Sequence, residues 1–293
     1  MAAQTDFDIV MIGHFAKDLL VVDGKSESAS GGAVFYGGVA VRRLGARVAV
    51  ATRLHPEDFP RLDELRDEGV EIFAAPAAAT TGIENIYNSA DMERRICRPL
   101  AFAGAFRAQD IPNVSARAYL IVPLVAGEVD LALLKQIAAR GPVGMDVQGF
   151  VRVREGNELV FKQWPDMREG LAHISYLKVD KAEAELLTGE TDLVRAAQTL
   201  AASGPREIVL TQSSGVTVYS EGKIYQAPFT PRNLSGRTGR GDTCFGTYVA
   251  KRLGSSAAEA CRWAGAVTTL KQEQPGPWRG SLADVEALLK SRS

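Results

Sequence analysis

Residues 235–253 read SGRTGRGDTCFGTYVAKRL. Gly236, Gly239 and Gly241 crowd in front of a helical pattern carried by Phe245, Tyr248, Val249 and Leu253, and Gly254 stands where a helix stop belongs. Glycines let the backbone turn so tightly that successive N–H groups aim at one point, and a helix N-terminus adds partial positive charge there. That combination suits a phosphate. A carboxylate at its mouth, Asp242, repels phosphate, so it makes sense there as a base. It would take the proton of an attacking hydroxyl while the backbone donors hold the transferred phosphoryl group. An Asp before a helix is also the ordinary N-cap. On this segment alone both readings stand.

The rest of the chain must position that turn. It has 293 residues, with 34 Lys+Arg against 35 Asp+Glu. A net charge of −1 lacks the basic excess of a dedicated nucleic-acid binder. Cys97, Cys244 and Cys261 are too scattered for a disulfide framework, and His14, His55 and His173 show no zinc spacing. The opening MAAQTDFD has no basic start followed by an apolar run, and the apolar stretch 118–126 is too short for a bilayer, so a cytoplasmic protein without membrane contact is expected. Strand-like runs at 7–12, 47–52, 70–73, 119–122, 143–146, 174–179 and 207–211 alternate with helical patterns at 34–44, 59–68, 129–139, 181–187 and 193–202. Such alternation predicts a parallel sheet with crossover helices. A hairpin at 216–219 and 223–226 and helices at 242–253, 256–270 and 282–290 complete the chain. Residues 80–106 break the rhythm: 83–87 and 95–100 are short strands around Asn88-Ser89-Ala90-Asp91. No linker divides the chain, so residues 1–293 are expected to form one domain.

The TGRGD turn before a helix resembles the C-terminal signature of ribokinase-like (PfkB) carbohydrate and nucleoside kinases. In that family a Gly-x-Gly-Asp turn forms the anion hole and the Asp is the catalytic base. The resemblance puts those roles on Gly239, Arg240, Gly241 and Asp242. Gly236, Arg237 and Arg240 stand where the family usually has Asp, Thr and a small residue; the backbone role of position 240 survives any side chain, and its guanidinium either touches a nucleotide phosphate or points to water. Gly31-Gly32, an apolar helix and Gly45 resemble the N-terminal signature, with Tyr36 in place of a frequent Asn. Asp18, five residues after Gly13, matches an Asp that binds substrate hydroxyls, as a carboxylate accepting two hydrogen bonds can; otherwise it is a solvated loop residue. Asp180 and Glu183 resemble the Asn-x-x-Glu motif that organises Mg²⁺, and equally make an ordinary helix start; both can hold. Thr211, Ser213 and Gly215 resemble the turn along the nucleotide, and residues 271–277, with Lys271 and Gly276, fall where the family wraps adenine.

The resemblance therefore implies an α/β fold: a three-layer α/β/α sandwich with a central, mostly parallel sheet and a small β lid from segments about 18–30 and 80–106. It implies an ATP-dependent kinase acting on a sugar, a polyol or a nucleoside, with ATP and Mg²⁺ as cofactors. Asp18, Gly31, Gly32, Tyr36, Glu84 and Asp146 would hold the acceptor; Lys178, Thr211, Ser213, Gly215, Lys271 and Gly276 would hold ATP; Asp180 and Glu183 would serve the metal. MDVQGF at 145–150, where many members read Asp-x-Asn, points to the inositol-kinase-like branch, while Tyr36 could stack a nucleobase and keeps a nucleoside kinase open. A homodimer through the lid is compatible with this reading. Two rivals remain. A dinucleotide-dependent oxidoreductase needs G-x-G-x-x-G after the first strand, where this chain has only Gly13. A non-catalytic, metabolite-binding relative would fit the departures at Gly236, Arg237, Arg240 and Ser213, against the retained Asp242 and Glu183.

Overall fold

The structure, a computed structural model, describes residues 5–88 and 91–292. Its strands are β1 (Phe7–Ile12), β2 (Ala16–Val22), β3 (Lys25–Gly31), β4 (Val48–Leu54), β5 (Glu71–Pro76), β6 (Gly82–Asn88), β7 (Asp91–Ala101), β8 (Ala116–Ile121), β9 (Val143–Asp146), β10 (Arg152–Glu155), β11 (Glu158–Phe161), β12 (Tyr176–Asp180), β13 (Glu207–Gln212), β14 (Gly215–Ser220) and β15 (Lys223–Pro228). The helices are α1 (Ala33–Arg43), α2 (Asp63–Arg66), α3 (Leu131–Ala138), α4 (Gln148–Val151), α5 (Met167–Leu171), α6 (Lys181–Thr188), α7 (Leu193–Ala201), α8 (Arg240–Arg252), α9 (Ala257–Gln272) and α10 (Leu282–Ser291).

Nine strands form the central sheet in the order β15-β14-β13-β12-β9-β8-β1-β4-β5. All neighbours from β13 to β5 pair in parallel, and β14 and β15 close one edge as an antiparallel hairpin. Both faces are covered, which is why the strands read as continuous apolar runs. In β1, Ile9 and Met11 enter the core under α1, α8 and α9, while Val10 and Ile12 enter the core under α3, α6 and α7. The expected three layers are present.

Four strands form the lid, in the order β3-β2-β6-β7. The β2–β3 hairpin turns through Asp23 and Gly24, both at positive φ, as a two-residue turn between twisted strands demands. β2 pairs in parallel with β6, and β6 runs antiparallel to β7. The strands are longer than the sequence suggests, and residues 89–90 of the expected turn lie outside those described. A small extra hairpin, β10–β11, was not expected. The helix expected over 59–68 is instead a 3₁₀ segment, Pro56–Leu62, followed by the single turn α2. Pro60 lies inside that segment and cannot donate the N–H that a regular α-helix needs.

β1 has β4 on one side and β8 on the other, so the chain reverses its direction of travel across the sheet there. In open α/β sheets a crevice forms at the carboxyl ends of the strands at such a point. The lid begins directly after β1 and covers this crevice.

Candidate active site

Two clefts meet at the start of α8. One is lined by Gln148, Lys178, Asp180, Thr211, Arg237 and residues 238–242. The other, under the lid, is lined by Asp18, Gly32, Tyr36, Ile83, Asn85, Leu124, Gln148, Arg152, Thr238, Gly239 and Asp242. Asp242 borders both. Its N-cap reading does not hold: the N-cap of α8 is Gly239, at φ +82, and Asp242 is the third helical residue. Only glycine suits that φ here, and an added Cβ would also fall within the ring of Tyr36. The first turn of α8 has no side-chain cap, which leaves its end open to an anion.

Lys178 is the electrostatic centre of the first cleft. Its ammonium lies 3.1 Å from Asp146 Oδ2 and 3.7 Å from Glu183 Oε2, almost fully buried. Burial opposes its charge, but Asp146, Glu183, Asp180 and Asp242 together hold its pKa above the ordinary lysine value. Burial likewise pushes the Glu183 carboxyl up to about 7, with Lys178 pulling against it. Asp180 and Glu183 form a reciprocal capping box on α6: Asp180 N–H donates to Glu183 Oε2 at 2.7 Å and Glu183 N–H to Asp180 Oδ1 at 2.8 Å. Among the described residues no group of three or more His, Cys, Asp or Glu could cage a metal ion. Asp180 nevertheless faces the cleft, and Glu183 Oε1 is buried without a hydrogen-bond partner. That donor set fits a Mg²⁺ ion carried largely by phosphates and water, not one held by the protein alone.

In the second cleft Asp18 Oδ1 accepts the N–H of Ile83 at 2.9 Å, and Gly31 packs so closely on the Asp18 carboxylate that no Cβ would fit. Gly32, at φ +91, passes against the His14 carbonyl. The Arg152 guanidinium is buried and donates through Nε to Leu124 O at 2.8 Å. Asn85 is 4% exposed, and its amide donates to Ile83 O at 3.3 Å.

Of the expected acceptor residues, Asp18, Gly32 and Tyr36 line this cleft, with Gly31 behind Asp18. Glu84 does not: alternation along β6 sends Ile83 and Asn85 inward, and Glu84 lies 3.6 Å from Arg98. Asp146 does not line it either; it pairs with Lys178 and accepts the Gln148 N–H at 3.0 Å. Of the expected nucleotide residues, Lys178 and Thr211 line the first cleft. Ser213 sits in the β13–β14 turn, Gly215 opens β14, and Gly276 lies in the loop after α9; none borders the cleft. Lys271 is buried beneath it. The segment Gly82-Ile83-Glu84-Asn85 is expected to face the lid site, and Ile83 and Asn85 line it, the period-two pleat turning Glu84 away. Gln148, Arg152 and Arg237 are lining residues that the sequence does not single out as such.

This arrangement has relatives. Residues 8–281 match the family described as pfkB family carbohydrate kinase, and the chain belongs to that family. It is 26% identical over 268 residues to a cytidine kinase of Thermococcus kodakarensis, covering 87% of this chain and 91% of the relative. Among solved structures it resembles a pyrophosphate-dependent kinase in the ribokinase family, complexed with a pyrophosphate analog and myo-inositol. That likeness has a TM-score of 0.88 and 37% identity over 95% of this chain and 99% of the other. The ribokinase of Arabidopsis thaliana, complexed with ribose and ATP, shares the fold at a TM-score of 0.78 and 19% identity, over 97% of this chain and 99% of its own. The chain is thus a kinase with the ribokinase-like fold, close to inositol kinases in structure. Among the described residues no helix is long and apolar enough to cross a membrane.

Proposed function

We propose that the chain transfers a phosphoryl group from pyrophosphate to a hydroxyl of a small inositol-like polyol, with Asp242 as general base. The carrying observation is that Asp242 borders both clefts at the open N-terminus of α8. The cleft under the lid takes the acceptor: Asp18, Asn85, Gln148 and Arg152 offer both acceptors and donors to a ring of hydroxyls. Asp242 accepts the proton of the attacking hydroxyl, and the oxygen bonds to phosphorus as the bond to the leaving phosphate breaks in line. The first-turn N–H groups of α8, with Lys178, Arg237 and Arg240, balance charge on the transferred group. Mg²⁺, when bound near Asp180 and Glu183, neutralises the phosphates.

The donor cleft is lined only by polar residues and glycine, with no aromatic or apolar side chain to sandwich a nucleobase. That favours pyrophosphate, which is what the 37%-identical neighbour is described as using. ATP, implied by the family resemblance, is the competing donor. The test is turnover of myo-inositol with Mg²⁺ and equal concentrations of pyrophosphate or ATP, followed by phosphorus NMR. Faster turnover with pyrophosphate is expected. A preference for ATP overturns the donor assignment, and no phosphorylation of inositols by either donor overturns the acceptor assignment.

A further inference from the structure

Lys271 belongs to neither cleft lining, yet it touches the segment leading into the turn that both clefts share. It comes from the last turn of α9, is 1% exposed, and donates from Nζ to the Gly236 carbonyl at 2.5 Å. The same ammonium stands 5.2 Å from the centroid of the Tyr36 ring, the ring on which Gly239 rests. Asp242 acts on it electrostatically. Around it the entry to the turn is bolted to the end of α9. Gly236 N–H donates to Gln272 O at 2.8 Å, Ser235 Oγ donates to Glu273 O at 2.8 Å, and a Cβ on Gly236 would overlap the Gln274 carbonyl.

Taking an ammonium out of water is costly, and a neutral side chain could fill this space at lower cost. The charge is placed where three features converge: the Gly236 carbonyl at the entry to the turn, the face of an aromatic ring, and the carboxylate of Asp242. We propose that Lys271 is a positioning residue for the phosphoryl transfer. Its ammonium serves as a built-in cation that fixes the 236–242 turn on α9 and keeps Asp242 ionised to receive the hydroxyl proton. A neighbouring positive charge favours the carboxylate form of Asp242. The same charge draws the Gly236 carbonyl down, so the glycine turn keeps its shape when the donor leaves. Burial lowers the ammonium pKa to about 8 while Asp242 opposes that shift, so the group is largely charged at neutral pH. The inference rests on the kinase reading of the site and not on which donor is used.

The test compares Lys271→Met and Lys271→Gln with the wild type, using whichever donor supports wild-type turnover. Glutamine can still donate to the Gly236 carbonyl but carries no charge, so it separates the tie from the cation. Both variants are expected to lose at least about tenfold in kcat, the low end of what mispositioned acid–base groups lose. Their acid limb should move to higher pH as Asp242 becomes easier to protonate. Ammonium chloride should restore activity in both, tetramethylammonium chloride should not, and the wild type should ignore either salt. An inactive wild type would speak against the kinase reading itself. An active wild type with a Lys271→Gln kcat within twofold of it, with an unshifted acid limb, or with a deficit that ammonium leaves unchanged overturns the positioning role alone. So does a failure of both variants to fold, which would make Lys271 a purely structural cation.

Discussion

Replacing Lys178 with methionine keeps most of the unbranched side chain and removes the buried cation that lies 3.1 Å from Asp146 and 3.7 Å from Glu183. Removing one partner of a buried ion pair leaves an uncompensated charge and costs about 3–5 kcal/mol. In a large domain each kcal/mol moves Tm by about 2 °C, so the expected fall is about 6–10 °C. The sign of its pH dependence follows from Glu183. Burial already raises its folded pKa to about 7 from the ordinary 4.5, and loss of Lys178 raises it further. A raised carboxyl pKa gives stability that is whole below the unfolded pKa and is lost as pH rises through the folded one. The variant should therefore lie nearest the wild type at about pH 5 and furthest from it at about pH 8. Scanning calorimetry at both pH values measures this, and Lys178→Met/Asp146→Asn should recover part of the loss. A deficit below about 2 °C at the higher pH, or one that is equal at both, would refute the reasoning.

Asp242→Asn preserves the shape of the first turn of α8 and removes the proton acceptor; kcat should fall by about two to four orders of magnitude while donor binding persists, and a variant with most of its turnover would remove Asp242 from the chemistry. Gly239→Ala must adopt φ +82 and push its Cβ into Tyr36. Overpacking of this kind costs about 1–3 kcal/mol; if the transition state bears that cost, kcat should drop by about 5–150-fold, with partial recovery in Gly239→Ala/Tyr36→Ala. Buried His14 has its pKa lowered by burial to about 3 from 6.5, so the unfolded chain takes up a proton as pH falls through that window and stability declines. Denaturant midpoints of His14→Gln should fall less than those of the wild type between about pH 6 and about pH 4; parallel declines would show that His14 is not the group responsible.

The central sheet was legible because strands buried on both faces carry runs of consecutive apolar residues, as residues 9–12 of β1, 48–51 of β4 and 118–121 of β8 do. The lid was legible only as an interruption. β3 reads KSESASG, with no apolar alternation, and its neighbour β2 pairs with β6, some sixty residues on, through backbone bonds that carry no sequence signature. The glycine turn before α8 stood out because glycines and a carboxylate at that spacing are chemically unusual. The fate of Asp146 did not: nothing local says that its carboxylate turns toward Lys178 on the neighbouring strand. Arg152 was missed for a similar reason, since a lone polar residue acquires meaning only from what the fold sets opposite it.

The bolting of residues 235–236 onto the end of α9 sets an order of events at the ribosome. Chains emerge N-terminus first, at about 5–20 residues per second. Asp18, Gly32 and Tyr36 leave the tunnel early and can settle on β1, while the glycine turn waits for its anchor at 271–274. The cleft under the lid, which takes Thr238, Gly239 and Asp242 from that turn, is therefore complete on its last side only once α9 has arrived. A chain cut short before α9 would lose Lys271 and also the Ala260, Cys261 and Ala264 side chains of the core under α8, so the last few dozen residues close the core and the site in one step.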